Sequence, residues 1–149
     1  MKEKVIEALK ALGFKPEKLE GNCYEFQYEN LCLLYLYNEN DEDFMSIACP
    51  CSIKKEEIGE LAYYQLMDKV NSTMKYIKAN DMNDRIWLFY ECDICNEEDL
   101  DEMLNRIILS LEAGFIFLHK KLRALSENVD TECGATEITD DADNEDAKE

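Results

Sequence analysis

Between Cys23 and Cys51 the chain carries three strand-like runs joined by connections too short to hold a helix, and this stretch restricts the fold more than any other. Cys23 to Glu29 alternates, with Tyr24, Phe26 and Tyr28 on one side and Glu25 and Gln27 on the other, which is the period of a half-buried strand. Glu29-Asn30 makes a turn into Leu31 to Tyr37, a run apolar on both faces that predicts a strand inside a sheet. The polar run NENDED, residues 38 to 43, forms a hairpin loop before a third strand, Phe44 to Cys51. Strands joined this closely pair antiparallel, because a parallel pair needs a crossover of about a dozen residues or more.

The flanking segments supply helices and a second hairpin. Val5, Ile6, Leu9 and Leu12 share one face of a short amphipathic helix over residues 2 to 12, and Gly13 ends it. Pro16 and Gly21 punctuate the connection that follows. After the third strand, Ser52 predicts the cap of a second helix, with Glu56 and Glu57 in a first turn where the dipole favours acids. Its packing stripe includes Ile58, Leu61, Ala62, Leu66 and Val70. Met74 to Ala79 and Arg85 to Ile94 read as strands around the turn-forming residues 80 to 84. Asn96 then predicts the cap of a long helix whose apolar face runs from Leu100 to Leu125. The fold class expected is α+β, in the order α-β-β-β-α-β-β-α, with a five-stranded antiparallel sheet and helices mainly on one face.

Composition sets the number of domains and excludes several partners. With 149 residues, 46% of them hydrophobic, the chain holds one core, expected over residues 1–125. Residues 126–149 carry ten acids against Lys148 alone, half of the formal net charge of −18, and predict a disordered acidic tail that keeps the protein in solution. Such a balance repels nucleic acid and anionic membrane surfaces. The N-terminal segment carries charges where a signal peptide needs an apolar run, and Ile107 to Leu118 is broken by Glu112 and too short to span a bilayer. A cytoplasmic protein is expected. Seven cysteines, an odd number in a chain of this size, read as reduced thiols packed as small hydrophobes.

The passage DKVNSTMKYIKANDMNDRIWLFYECDI combines a helix ending at Val70-Asn71, a strand, a polar turn, and a strand leading to an acid-capped helix. With the order of elements over residues 1 to 125, it resembles the type III secretion chaperone-like fold, and within it the YbjN-type bacterial proteins. The resemblance implies a non-enzymatic role without cofactor. It implies a small homodimeric module, chaperone-like or regulatory, that binds a protein partner. The acidic tail and the cysteines are additions to that pattern.

Few residues here invite chemistry. Cys92 and Cys95 form a C-x-x-C that suits zinc only if a second pair completes the ligand set, and Cys49-Pro-Cys51 is the sole local candidate. If the strands bearing the two pairs are antiparallel neighbours, as the resemblance suggests, the pairs fall at opposite ends of the sheet. A redox role for Cys92 and Cys95 meets the negative charge of Asp93, Glu97, Glu98 and Asp99, which disfavours a thiolate. Cys92 also fits the inward register of Ile86, Leu88 and Tyr90. His119 stands alone among Lys120, Lys121 and Arg123, where positive charge complements a helix end, and the scattered glycines form no phosphate loop. Acid pairs such as Asp41/Asp43 and Glu97/Glu98 belong to a loop and a cap. What remains is surface. An open sheet with helices on one side leaves a face for another chain, and Tyr35, Tyr37, Phe44, Trp87 and Phe89, with Leu31 and Leu33, are candidates for it. The same positions would serve equally as core or as a homodimer seam. Two readings follow: a protein-binding module, and a cysteine-based metal or redox protein using Cys92 and Cys95.

Overall fold

The structure, a computed structural model, describes residues 1–94 and 99–133, with side chains through residue 127. In chain order the elements are α1 (Lys2–Ala11), β1 (Glu17–Lys18), β2 (Cys23–Tyr28), β3 (Leu31–Asn38), β4 (Asp41–Lys54), α2 (Lys55–Ile58), α3 (Glu60–Thr73), β5 (Ile77–Asp81), β6 (Arg85–Asp93) and α4 (Leu100–Cys133). The strands form one antiparallel sheet in the order β1-β2-β3-β4-β6-β5. The α+β class and the open antiparallel sheet are those expected. The described elements number six strands and four helices, against the five and three read from the sequence.

Each difference has a local cause. Glu17 and Lys18, in the connection after Pro16, pair with Glu25 and Tyr24 and make the additional strand β1. Gly59, at φ 82° and ψ 154°, sits in a region open almost only to glycine and divides the second helix into α2 and α3. Ser52 does not cap that helix: pairing resumes beyond Pro50, with Lys54 opposite Arg85, so the strand continues past Ser52 and Lys54 precedes α2. The loop read over residues 38 to 43 contracts to Glu39-Asn40, because Asn38 and Asp41 pair across the hairpin and the Asn38 side chain accepts the Asn40 N–H at 3.0 Å. Tyr76, at φ 65°, turns the chain out of α3, so β5 begins at Ile77 rather than Met74. The cap expected at Asn96 lies outside the described residues; Asp99 accepts the Asp101 N–H at 2.9 Å and occupies the capping position of α4. The helix continues to Cys133, past the Leu125 at which the tail was expected to begin, and residues 134–149 lie outside the described residues.

α1, α3 and α4 cover one face of the sheet. Val5 and Leu9 of α1, Leu66 and Val70 of α3, and Leu104, Ile107 and Leu111 of α4 bury themselves against Phe26, Leu33, Tyr35, Ile47 and Leu88. Each large side chain enclosed in this way contributes about 1.5–3 kcal/mol. α4 crosses the sheet closely at Gly114, where an added Cβ would meet Ile77 at 3.3 Å and Leu88 at 3.4 Å. Lys55 ties α2 to the β5–β6 turn through Asp81 (3.3 Å) and Asp84 (2.6 Å), and the Tyr63 hydroxyl donates to Asp81 at 3.1 Å. Among the described residues no helix is long and apolar enough to cross a membrane.

Candidate functional site

The face of the sheet turned away from the helices carries the strongest candidate. Strand register assembles a row of side chains across all six strands: Glu17 opposite Glu25, Glu25 opposite Leu34, Leu34 opposite Ala48, Ala48 opposite Phe89, and Phe89 opposite Lys78. Directly opposed residues share a face. The row therefore runs from two carboxylates, through one large, one small and one large apolar side chain, to an ammonium. Cys23, Leu36, Ser46 and Glu91 form the row on one side, and Pro50, Trp87 and Asn80 lie on the other. Leu34, Ala48 and Phe89 make a small core of their own with half-buried Cys23, Cys32, Leu36 and Trp87, and no described helix residue belongs to it. Trp87 and Phe89 stack with ring centroids 6.2 Å apart. Lys78 holds Glu91 at 2.8 Å at the β5 margin.

Among the described residues of this face the thiols are not activated. Burial, with Glu25 alongside, pushes the Cys32 thiol up to about 11, and burial likewise raises Cys23. Both therefore remain neutral thiols near neutral pH and act as small hydrophobes. Leu34, Ala48 and Phe89 are 7%, 0% and 6% exposed, so half-buried Leu36 and Trp87 are the apolar area this face presents, with Glu17 and Glu25 at one margin and the Lys78–Glu91 pair at the other.

Of the aromatic residues singled out in the sequence, the structure groups three on this face and two beneath the helices. Trp87 and Phe89 lie on it together, and Phe44, opposite Asp93, has the same parity as Ser46 and Ala48 at the end of the face. Tyr35 is 2% exposed beneath the helices, opposite Ile47, because it shares the parity of Leu33 and not of Leu34; Leu31 and Leu33 face the same way. Burial pushes its hydroxyl up to about 12. Tyr37 follows Tyr35 on that side, in ring contact with Tyr35 and Tyr24, with the Lys2 ammonium 4.9 Å from its ring centre. Phe44 is half-buried at the start of β4, and with Tyr35 and Tyr37 it lines a cleft of about 270 Å³ rimmed by Lys2, Glu3, Asp41 and Glu42. Leu34, Leu36 and Ala48, the centre of the open face, were not singled out. Leu31 to Tyr37 is apolar at every position, so its sequence carries no alternation to tell one side from the other.

The cysteine reading divides. Cys92 is half-buried opposite Met45, in the inward register with Leu88 and Tyr90, and Cys95 lies outside the described residues. Cys49 pairs with Leu88, four residues along β6 from Cys92, a separation of about 13 Å at strand rise. Cys49 and Cys51 are 1% and 3% exposed, and the contact between them together with burial pushes the Cys51 thiol up. Among the described residues no three His, Cys, Asp or Glu side chains are placed to hold a metal ion. His119 is not the solvated end residue expected. It is half-buried, its ring 4.3 Å from that of Phe115, and its Nε2 is enclosed without a hydrogen-bond partner. Burial, then Arg123, lowers its pKa.

No family model matches the chain, and no curated protein matches it by sequence. Among solved structures, YbjN from E. coli, described as "a putative transcription regulator", superposes with a TM-score of 0.63 at 10% identity, over 83% of this chain and 93% of that one. At that identity the likeness is one of architecture: the chain has a YbjN-like fold.

Proposed function

We propose that this is a non-enzymatic protein-binding module of the cytoplasm, chaperone-like or regulatory, that works through the open face of its sheet. The observation behind the reading is the pair of half-buried side chains Leu36 and Trp87 around the buried strip Leu34–Ala48–Phe89, on a face that no described helix covers. A flat apolar strip with polar margins suits contact with another polypeptide. The description of YbjN as a regulator agrees with a regulatory role. Regulation here works through protein contact, because a net charge of −18 opposes approach to nucleic acid phosphates.

Affinity capture with the full chain tests the proposal. A specific protein is retained by the wild type and lost with Trp87→Asp, while circular dichroism shows the variant folded. Capture unaffected by Trp87→Asp, in a variant shown to be folded, removes the open face from the function.

A further inference from the structure

The cleft between the first turn of α1 and the β3–β4 hairpin is lined by a polar group that the fold itself does not satisfy. Tyr35 is 2% exposed, yet it is one of the residues lining this cleft of about 270 Å³. Its hydroxyl lies within electrostatic reach of the Glu3 and Glu42 carboxylates and makes no hydrogen bond among the described residues. Unlike the Nε2 of His119, it is not fully enclosed. Buried polar groups are paired as a rule, so a hydroxyl held this way is set for a partner that enters through the cleft.

We propose that the cleft takes the guanidinium of an arginine presented by a partner protein. Glu3, Glu39, Asp41 and Glu42 line it with four carboxylates. Lys2 pairs with Glu3 at 3.4 Å and the Met1 ammonium with Glu42 at 3.1 Å, which leaves Glu39 and Asp41 without an ion pair among the described residues. The cleft therefore favours a cation. Phe44 adds a half-buried ring with no ring or cation against it among the described residues, whereas Tyr37 already has Lys2 and Lys18 at 4.9 Å and 5.3 Å from its ring centre. A planar guanidinium stacks on such a ring, is weakly hydrated, and carries five donors, enough to reach the Tyr35 hydroxyl and a carboxylate together. An ammonium is a more strongly hydrated point charge and gains less there. The volume falls just below the ~300–1,000 Å³ of pockets for drug-sized ligands, which suits one long side chain. The surplus of acid repels the carboxylate of free arginine, so the side chain arrives within a polypeptide; this step rests on the protein-binding reading. Phe44 also ends the open face, so a segment lying on that face passes the mouth of the cleft.

The probe is a capped five-residue peptide of glycine and serine with a central arginine, titrated against the full chain and followed by backbone amide resonances. Saturable shifts are expected at residues 2–3 and 35–44. The same peptide with lysine binds at least about threefold more weakly, and with norleucine it does not bind. Tyr35→Phe removes only a hydroxyl without a partner in the fold, so circular dichroism and melting temperature hold while the arginine peptide loses about tenfold in affinity. Glu39→Gln combined with Asp41→Asn weakens it about three- to tenfold. Arginine and lysine peptides held equally, with shifts spread over the acidic surface, overturn the proposal. So does an arginine peptide that binds Tyr35→Phe as well as the wild type, or one that shows no saturation at about 10 mM. The protein-binding reading survives each of these results, because its own test is loss of a captured protein in Trp87→Asp.

Discussion

Gly114 sets how closely α4 approaches the sheet. With Ile77 and Leu88 within 3.4 Å of the Cβ position, a large side chain there has no space to enter, and overpacking of a filled core costs about 1–3 kcal/mol. Gly114→Leu is expected to lower the unfolding free energy by that amount, read as a lower urea midpoint at an unchanged slope. Asp81 carries a second residue-scale prediction. Burial raises its pKa, but the Asp84 N–H, the Lys55 ammonium and the Tyr63 hydroxyl outweigh burial and hold the carboxyl below the usual carboxylate range. A carboxyl depressed in the folded state contributes stability above its unfolded pKa of about 3.9, and that contribution is lost as pH falls through the lower folded value. Urea midpoints followed from neutral pH to below pH 4 should therefore fall less steeply at the acid end in Asp81→Asn than in the wild type.

At the scale of elements, the junction of α2 and α3 depends on one backbone conformation. Gly59 at φ 82° and ψ 154° would cost a residue with a Cβ about 1–3 kcal/mol. No side chain or backbone atom lies within 4 Å of its Cβ position, so strain and not crowding is what Gly59→Ala measures. The expected outcome is a lower melting temperature without change in the far-ultraviolet spectrum. The sheet edges are guarded by equally local means. Asn71 reaches from the end of α3 to Ala79 on the outer side of β5, accepting its N–H at 2.7 Å and donating to its carbonyl at 3.1 Å. That side chain takes the place of a neighbouring strand. At the other edge β1 offers only two residues, preceded by Pro16, which has no N–H to give. Both edges are thus limited as templates for a further strand.

For the whole molecule, the dominant force beyond packing is self-repulsion. The net charge of −18 opposes compactness, and added salt screens it within about 8–10 Å at physiological ionic strength. The melting temperature, followed through Trp87 emission, should rise between low salt and near-physiological salt. A melting temperature that falls instead would show that pairs such as Lys55–Asp81 and Lys78–Glu91 outweigh the repulsion.

How much of this was legible in the chain follows from the range of each interaction. Alternation at Tyr24, Phe26 and Tyr28, the turn residues after them, and the helical period from Leu100 to Leu125 are set by neighbours a few positions apart. They sufficed for the α+β class, the order of the main elements and the antiparallel pairing. The extent of each strand needed a partner: β4 continues through Ser52 because Lys54 meets Arg85, and β1 exists because Glu25 and Tyr24 lie opposite. The open face needed more still. Leu34, Ala48 and Phe89 come from three strands, and Leu33 or Leu34 serves equally well inside an unbroken apolar run. Which of the two points at the helices is fixed by register across the sheet, an interaction between residues distant in sequence, and so only the tertiary structure decided it.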